Sequence, residues 1–367
     1  RLVPFAEPCF AAQWSGDGVQ LISYMIGENA DACPDGEGGF WYAQNKLDFT
    51  RILIQHVDSD GYRTFDLSGI SVCDSIGGHL FGIEPGPDGD CIVMFSRTDT
   101  DGFQDLFAQR ITQQGEWLWG GGGINISASD AERNKTPITY WNQWTESDGN
   151  GGLWGIWGGQ THWYHDINIC GVNADGSLKR PVNDYRVVAW SMVSDAIRYT
   201  SDGAGGLVVT FAWNDDDWEY SNREIYVQRI LANGSPLYAD PVLILDWPTP
   251  EQGGYYDPFF IVKDPEGGFV VTSLNRWQRL SGALQPQWDL QGVDAINWGE
   301  FWRESTSNPV IMADRSVQQL VSGFLLGYQD ETKGPYLAQM SYEGEPGAIG
   351  ELGPWAGDSL YGATGHY

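Results

Sequence analysis

One pattern recurs along this chain and constrains its fold more than any other feature. It is a strand with an apolar rim around a central polar residue, usually Gln, followed four to six residues later by a turn glycine. It appears as Ile52-Leu53-Ile54-Gln55-His56-Val57 before Gly61 and Leu106-Phe107-Ala108-Gln109-Arg110-Ile111 before Gly115. It returns as Ile167-Asn168-Ile169-Cys170-Gly171-Val172 before Gly176 and Ile225-Tyr226-Val227-Gln228-Arg229-Ile230 before Gly234. A shortened form, Trp277-Gln278-Arg279-Leu280, precedes Gly282, and Tyr336-Leu337-Ala338-Gln339-Met340 precedes Gly344. Each copy has strand length and strand composition and ends in turn chemistry.

Upstream of each copy a polar turn feeds an apolar strand. The turns are residues 35–39, 88–90, 148–152, 202–206 and 264–268, with a degenerate sixth at Asp314-Arg315-Ser316. A third signature, Trp-x-x-x-Gly followed by an aliphatic residue, marks an outer strand at Trp119 with Gly123-Ile124, Trp288 with Gly292-Val293 and Trp14 with Gly18-Val19. Units return every 50–60 residues or so, the length of one four-stranded propeller blade. The expected fold is therefore all-β, a six-bladed β-propeller. Trp14 stands ahead of the first complete unit and has no preceding strands to pair with. A circular fold resolves this if residues 13–23 lie beside the strand at 335–343, which removes two exposed sheet edges. Seven blades is the alternative, if the C-terminal tail pairs with residues before Gln13. Turn chemistry is evenly spread with no linker, so residues 1–352 are expected to form a single domain and 353–367 a tail or cap.

Residues 105–126, DLFAQRITQQGEWLWGGGGINI, resemble the repeats of large secreted bacterial β-propeller proteins, in which a D-[IL]-[YF]-A-Q-R strand, a turn Gly and a W-G strand recur. Residues 224–234, EIYVQRILANG, resemble the same unit. The resemblance implies an extracellular, repeat-built and mainly non-catalytic module, and it brings no active-site residues with it.

Charge narrows the partners. The 49 acidic residues against 20 basic give a net charge of −29, a field that repels phosphate backbones and anionic lipid. Nucleic acid is thus excluded as a partner, and with no run of eighteen apolar residues direct membrane insertion is not expected. The first residue is Arg, compatible with a processed, exported protein, so the expected location is secreted or cell surface. Five scattered cysteines make no CxxC pair, which argues against zinc or haem attachment and leaves room for one or two disulfides.

Chemistry is thin by comparison. No G-x-S-x-G, P-loop, H-E-x-x-H or sialidase-type S-x-D-x-G-x-x-W box is present. His162 and His165, three apart, point to opposite faces of a strand and make a poor metal pair. Acid/base carboxylate pairs carry no information in so acidic a chain. The D-x-D-G strings at 58–61 and 99–102 fall where hairpin turns are required and lack the twelfth-position Glu of a calcium loop. Asp215, Asp216, Asp217 and Glu219 are the better candidate, four carboxylates in five residues that repel unless a cation intervenes. No cofactor is required; calcium is the one ion the sequence allows for.

Aromatic residues supply the remaining signal. Trp14, Trp119 and Trp288 fit packing between repeats. Trp141, Trp144, Trp163, Tyr164, Trp218, Tyr220, Trp247, Tyr255, Tyr256, Trp298 and Trp302 fall outside the repeat positions, mostly in loops. Flat rings with a polar edge stack on sugar faces and anchor protein interfaces. The expected function is a non-catalytic binding or scaffold module for a glycan or extracellular protein. The alternatives are a polysaccharide hydrolase or lyase with its site in the central funnel, and a structural subunit of a surface assembly. The repeated Gln55, Gln109, Gln228 and Gln339 are expected to tie neighbouring strands through their amides.

Overall fold

The computed structural model describes residues 19–23, 26–46, 51–73, 78–98, 104–127, 138–161, 164–180, 185–188, 197–214, 223–247, 259–264, 267–273, 276–290, 292–294, 310–313, 323–330, 334–341 and 350–351. Apart from one three-residue 3-10 turn at Pro87–Gly89, every regular element among them is a strand. The strands form six four-stranded sheets, and the pairings described are antiparallel.

The first sheet holds β1 (Ile26–Pro34), β2 (Phe40–Lys46), β3 (Ile52–Val57) and β4 (Ile70–Ser71). The second holds β5 (His79–Pro85), β6 (Cys91–Thr98), β7 (Gln104–Ile111) and β8 (Ile124–Asn125). The third runs β9 (Ile138–Ser147), β10 (Leu153–Thr161), β11 (Tyr164–Val172) and β12 (Tyr185–Val188). The fourth runs β13 (Ile197–Ser201), β14 (Leu207–Asn214), β15 (Arg223–Ile230) and β16 (Val242–Trp247). The fifth has β17 (Phe259–Asp264), β18 (Gly268–Ser273), β19 (Arg276–Ser281) and β20 (Val293–Asp294). The sixth has β21 (Val310–Ala313), β22 (Gly323–Asp330), β23 (Gly334–Ser341) and β24 (Gly350–Glu351). Spatial order follows chain order in all six, so each sequence repeat is one meander and its Gln-bearing segment is the third strand.

The chain forms two compact units. One comprises Arg1–Trp190, Ser201–Leu207 and Ile230–Ser235, the other Ser191–Thr200, Val208–Arg229 and Pro236–Tyr367. In the first unit Trp41, Ile54, Leu80, Val93 and Phe95 share one core, and Met94, Leu106, Ile126, Leu153 and Trp157 share another. In the second unit Val208, Val227, Ile244, Val271 and Leu280 form a third. Each such side chain stabilises by roughly 1.5–3 kcal/mol through the apolar surface it removes from water.

Two polar devices repeat with the strands. In the first, the third-strand Gln clamps the loop that precedes the fourth strand. Gln55 Oε1 accepts from Phe65 N at 3.1 Å, Gln109 Oε1 from Trp119 N at 3.0 Å and Gln278 Oε1 from Trp288 N at 3.2 Å. Gln228 Nε2 donates to Tyr238 O at 2.9 Å. These amides are buried, so each bond both satisfies the side chain and fixes the loop. The structural role expected for Gln55, Gln109 and Gln228 is what the coordinates show, and Gln278 joins them.

In the second device, the Asp of the polar turn meets a basic side chain on the third strand, and at Asp35 it also binds the amides of its own turn. Asp35 Oδ1 accepts from Glu37 N and Gly39 N, both at 2.8 Å, while Asp35 Oδ2 meets His56 Nε2 at 3.0 Å. Asp90 Oδ2 meets Arg110 Nε at 2.7 Å, and Asp264 Oδ2 meets Arg279 Nε at 2.7 Å. His56, Arg110 and Arg279 each follow the clamp Gln directly. The third sheet departs from this pattern at both positions: Cys170 replaces the Gln and Gly171 the cation. Lys179 reaches Asp148 Oδ2 from the following turn instead, at 2.6 Å. A Cβ at Gly171 would sit 2.6 Å from Lys179 Cδ and 2.7 Å from the Trp154 ring, so the glycine leaves the space the displaced lysine uses.

The N-terminal segment requires a correction. Of residues 13–23 only 19–23 are described, and they are tied to the first sheet: Gln20 O accepts from Arg63, Leu21 O from Gln55, and Ser23 N donates to Leu67 O. The sixth sheet takes its fourth strand from Gly350–Glu351, opposite Leu337 and Tyr336. The edge on which residues 13–23 were expected is thus occupied by β24. The disulfides allowed for by the sequence also do not form among the described cysteines: Cys33, Cys91 and Cys170 are buried free thiols, and Cys73 is buried.

Candidate carboxylic acid site on the first strands

The first strand of each meander has a free sheet edge, and its outward N–H groups need acceptors. In the first unit, carboxylates on neighbouring first strands supply them. Asp31 on β1 accepts from Ile83 N on β5 at 3.0 Å. Glu84 on β5 accepts from the Thr145 hydroxyl on β9 at 2.7 Å and from the Ser147 amide. Glu146 on β9 accepts from Ser201 N on β13 at 2.8 Å. Asp31 and Glu84 thus lash three successive first strands together, each reaching one sheet onward, and Glu146 holds Ser201 within the same unit.

Gly82 makes the first junction possible. A Cβ there would run into Thr145 Oγ1 and come within 3.1 Å of Asp31 Oδ2. Any other residue would push the hydroxyl and the carboxylate apart.

The electrostatics separate Glu84 and Glu146 from ordinary surface carboxylates. Burial pushes Glu84 up to about 8, and the charges of Glu146 and Asp31 add to the rise against the Thr145 hydrogen bond. Burial lifts Glu146 to about 7, opposed by the Ser201 amide. The adjacent Cys33 thiol is also raised by burial, with Glu84, Asp31 and Asp35 contributing. Asp31, Glu84 and Glu146 nevertheless each keep part of their surface exposed. At neutral pH Glu84 is therefore largely protonated and Glu146 partly so, and both can donate as well as accept hydrogen bonds.

One of the aromatics singled out in the sequence belongs to this strand group. Trp144 is half-buried on β9 and shares a strand face with Glu146, with Thr145 on the other face. Trp141 lies on β9, Tyr164 opens β11 and Trp247 closes β16. Trp163, Trp218, Tyr220, Tyr255, Tyr256, Trp298 and Trp302 lie outside the described residues, as do Asp215, Asp216, Asp217 and Glu219. Asp58, from one D-x-D-G string, caps its own turn by accepting from Asp60 N and Tyr62 N. Among the described residues no three His, Cys, Asp or Glu side chains are grouped to hold a metal ion, and no helix is long and apolar enough to cross a membrane.

The acid series escaped the sequence reading because carboxylates are common everywhere in the chain. A positional signal was present: Glu84 and Glu146 lie two residues before Gly86 and Asp148, whose amides bond Asp90 O and Gly152 O across the loops into β6 and β10.

No family model and no curated protein matches the chain. Solved structures with similarity include an α-L-arabinanase from Penicillium chrysogenum, bound to arabinobiose, at 10% identity over 88% of this chain and 94% of that one, TM-score 0.38. A quinonprotein alcohol dehydrogenase-like protein from Bacteroides thetaiotaomicron is 13% identical over 88% of this chain and 65% of its own, TM-score 0.39. A thermostable family-43 glycoside hydrolase is 10% identical over 72% and 89%, TM-score 0.33. Similarity at this level assigns no activity.

Proposed function

We propose that the protein is a secreted or cell-surface six-bladed β-propeller, a single domain over residues 1–352, that binds a glycan at the first strands. The six four-stranded meanders, each one repeat long, support the propeller reading. The observation that carries the ligand is the sequence of groups on β9. Trp144 offers a ring to stack on a sugar face, Thr145 holds Glu84, and Glu146 is a partly exposed carboxyl that keeps its proton near neutrality. Protonated acids suit a neutral polyol: they bond its hydroxyls in both directions. The remaining sequence-named aromatics are further candidates for ligand contact, and Asp215, Asp216, Asp217 and Glu219 are candidates for calcium.

The test is titration calorimetry against a panel of neutral oligosaccharides. Trp144→Ala is expected to weaken binding about tenfold or more, the scale of a lost stacking contact and its burial. Absence of binding by the intact protein at millimolar sugar would overturn the reading.

A second reading, hydrolysis, is favoured by Glu84. An acid still protonated at neutral pH is what a glycosidic leaving group requires, with Glu146 or Asp31 as the neighbouring carboxylate. It expects reducing ends to be released from a bound glycan, with activity lost in Glu84→Gln while binding persists.

A further inference from the structure

In five sheets the residue after the clamp position is bonded through its backbone to the residue eight places later. Leu118 N donates to Arg110 O at 2.9 Å, Lys179 N to Gly171 O at 2.9 Å, Leu237 N to Arg229 O at 2.7 Å and Gln287 N to Arg279 O at 2.8 Å. Thr64 N donates to His56 O at 2.9 Å in the first sheet. The backbone pairing is shared, so the side chains can be compared position for position. Arg110, Arg229 and Arg279 are paired with Leu118, Leu237 and Gln287; of the five sheets only the first puts an imidazole and a hydroxyl there together. An arginine keeps its charge at neutral pH, whereas an imidazole can take up and release a proton.

Those two side chains are also bonded to each other. His56 Nδ1 lies 2.8 Å from Thr64 Oγ1, and His56 Nε2 lies 3.0 Å from Asp35 Oδ2. Asp35 and His56 are buried, while Thr64 is exposed. A hydroxyl thus lies within hydrogen-bond reach of a base that a third group orients. Each member is held from outside the row. Asp35 Oδ1 accepts from the amides of Glu37 and Gly39, and the Trp41 ring packs on the imidazole with centroids 4.5 Å apart. Beside Thr64, Phe65 N is fixed by the Gln55 clamp. A ring that donates from Nε2 to the Asp35 carboxylate keeps its lone pair on Nδ1, where the Thr64 proton can be accepted.

We propose that Thr64, His56 and Asp35 form a hydrolytic triad that cleaves small acyl esters. Thr64 Oγ1 attacks the acyl carbon while its proton passes to His56 Nδ1. The ester C–O bond then breaks, and the departing alcohol takes that proton from Nδ1. Water repeats the sequence on the Thr64 ester: it adds to the acyl carbon, gives a proton to Nδ1, and Thr64 Oγ1 leaves with that proton as the carboxylic acid is released. Asp35 is a positioning residue, keeping the resting ring proton on Nε2 and stabilising the imidazolium. The triad uses none of Glu84, Trp144, Thr145 or Glu146, so it goes beyond the glycan reading and stands or falls separately.

The test is covalent trapping in the full chain. An alkyl fluorophosphonate is expected to lose fluoride to Thr64 Oγ1, and peptide mass spectrometry to find the phosphonyl group on Thr64. Thr64→Val keeps the shape of an exposed side chain without its hydroxyl, and its hydrolysis of p-nitrophenyl acetate is expected to fall roughly 100-fold or more. Thr64→Ser is expected to retain both label and turnover. A Thr64 left unlabelled, or turnover unchanged in Thr64→Val, overturns the triad. Nitrogen NMR of the His56 ring is a second readout that needs no variant. The ring proton is expected on Nε2 at mildly alkaline pH, and in Asp35→Asn, whose amide donates to Nε2, on Nδ1. A parent ring carrying a proton on Nδ1 there would overturn the proposal.

Discussion

Two sets of carboxylates lie only a few residues apart on the same strands and turns, yet they solve different problems. Asp35, Asp90, Asp148 and Asp264 sit in the polar turns, each buried and each facing a basic side chain. Asp31, Glu84 and Glu146 sit on the first strands and bond amides and a hydroxyl. The contrast shows in protonation. At Asp35 burial pushes the carboxyl up, but His56 and the amides of Glu37 and Gly39 outweigh it and leave the acid below its ordinary range. At Asp90 burial outweighs Arg110 and the acid stays raised. At Glu84 the neighbouring charges are negative, and the carboxyl is driven to about 8. A basic partner makes each turn acid part of the framework, whereas Glu84 and Glu146 are left holding an exchangeable proton.

The largest expected effect is at Lys179. Lys179→Met leaves Asp148 buried without its cation and should cost about 3–5 kcal/mol in denaturant unfolding. Replacing Asp148 by Leu in the same chain should recover part of that loss. If Lys179→Met proves neutral, the turn acids are no more framework than the first-strand acids. Next is Gly82→Ala, which forces Thr145 and Asp31 apart and should cost about 1–3 kcal/mol. A cost near zero would mean that the junction can shift without loss.

The smallest effect is a slope. Glu84 binds its proton more tightly when folded than at its ordinary value of 4.5, so the folded state holds more protons between 4.5 and about 8. Its stabilising contribution is complete below 4.5 and is lost as pH rises through 8. Glu84→Gln should therefore flatten melting temperature against pH, gaining a few degrees on the parent at pH 8 and none at pH 4.5. Parallel curves would remove the distinction between the two sets.

The repeat was legible because strand period, turn Gly and clamp Gln are local and recur at fixed offsets. That was enough to expect the six meanders and the role of Gln55. The third sheet shows where such reading stops. Its cation moved from the position after the clamp to Lys179, visible only once Gly171 is seen to vacate the space. The acid series was hidden because its meaning depends on a neighbouring sheet: Glu84 becomes unusual only when Thr145 and Glu146 arrive from β9. The loop aromatics were named for their position outside the pattern, and of these Trp144 falls beside an acid.

The sealed thiols have a practical consequence. Burial raises Cys33, Cys91 and Cys170 far above the range in which thiolate forms at neutral pH, and thiolate is the species that reacts with oxidants and alkylating agents. These side chains are silent while their strands are shut. Each is therefore a native reporter of breathing in its own meander, and its modification rate under gentle conditions times how often that strand group opens.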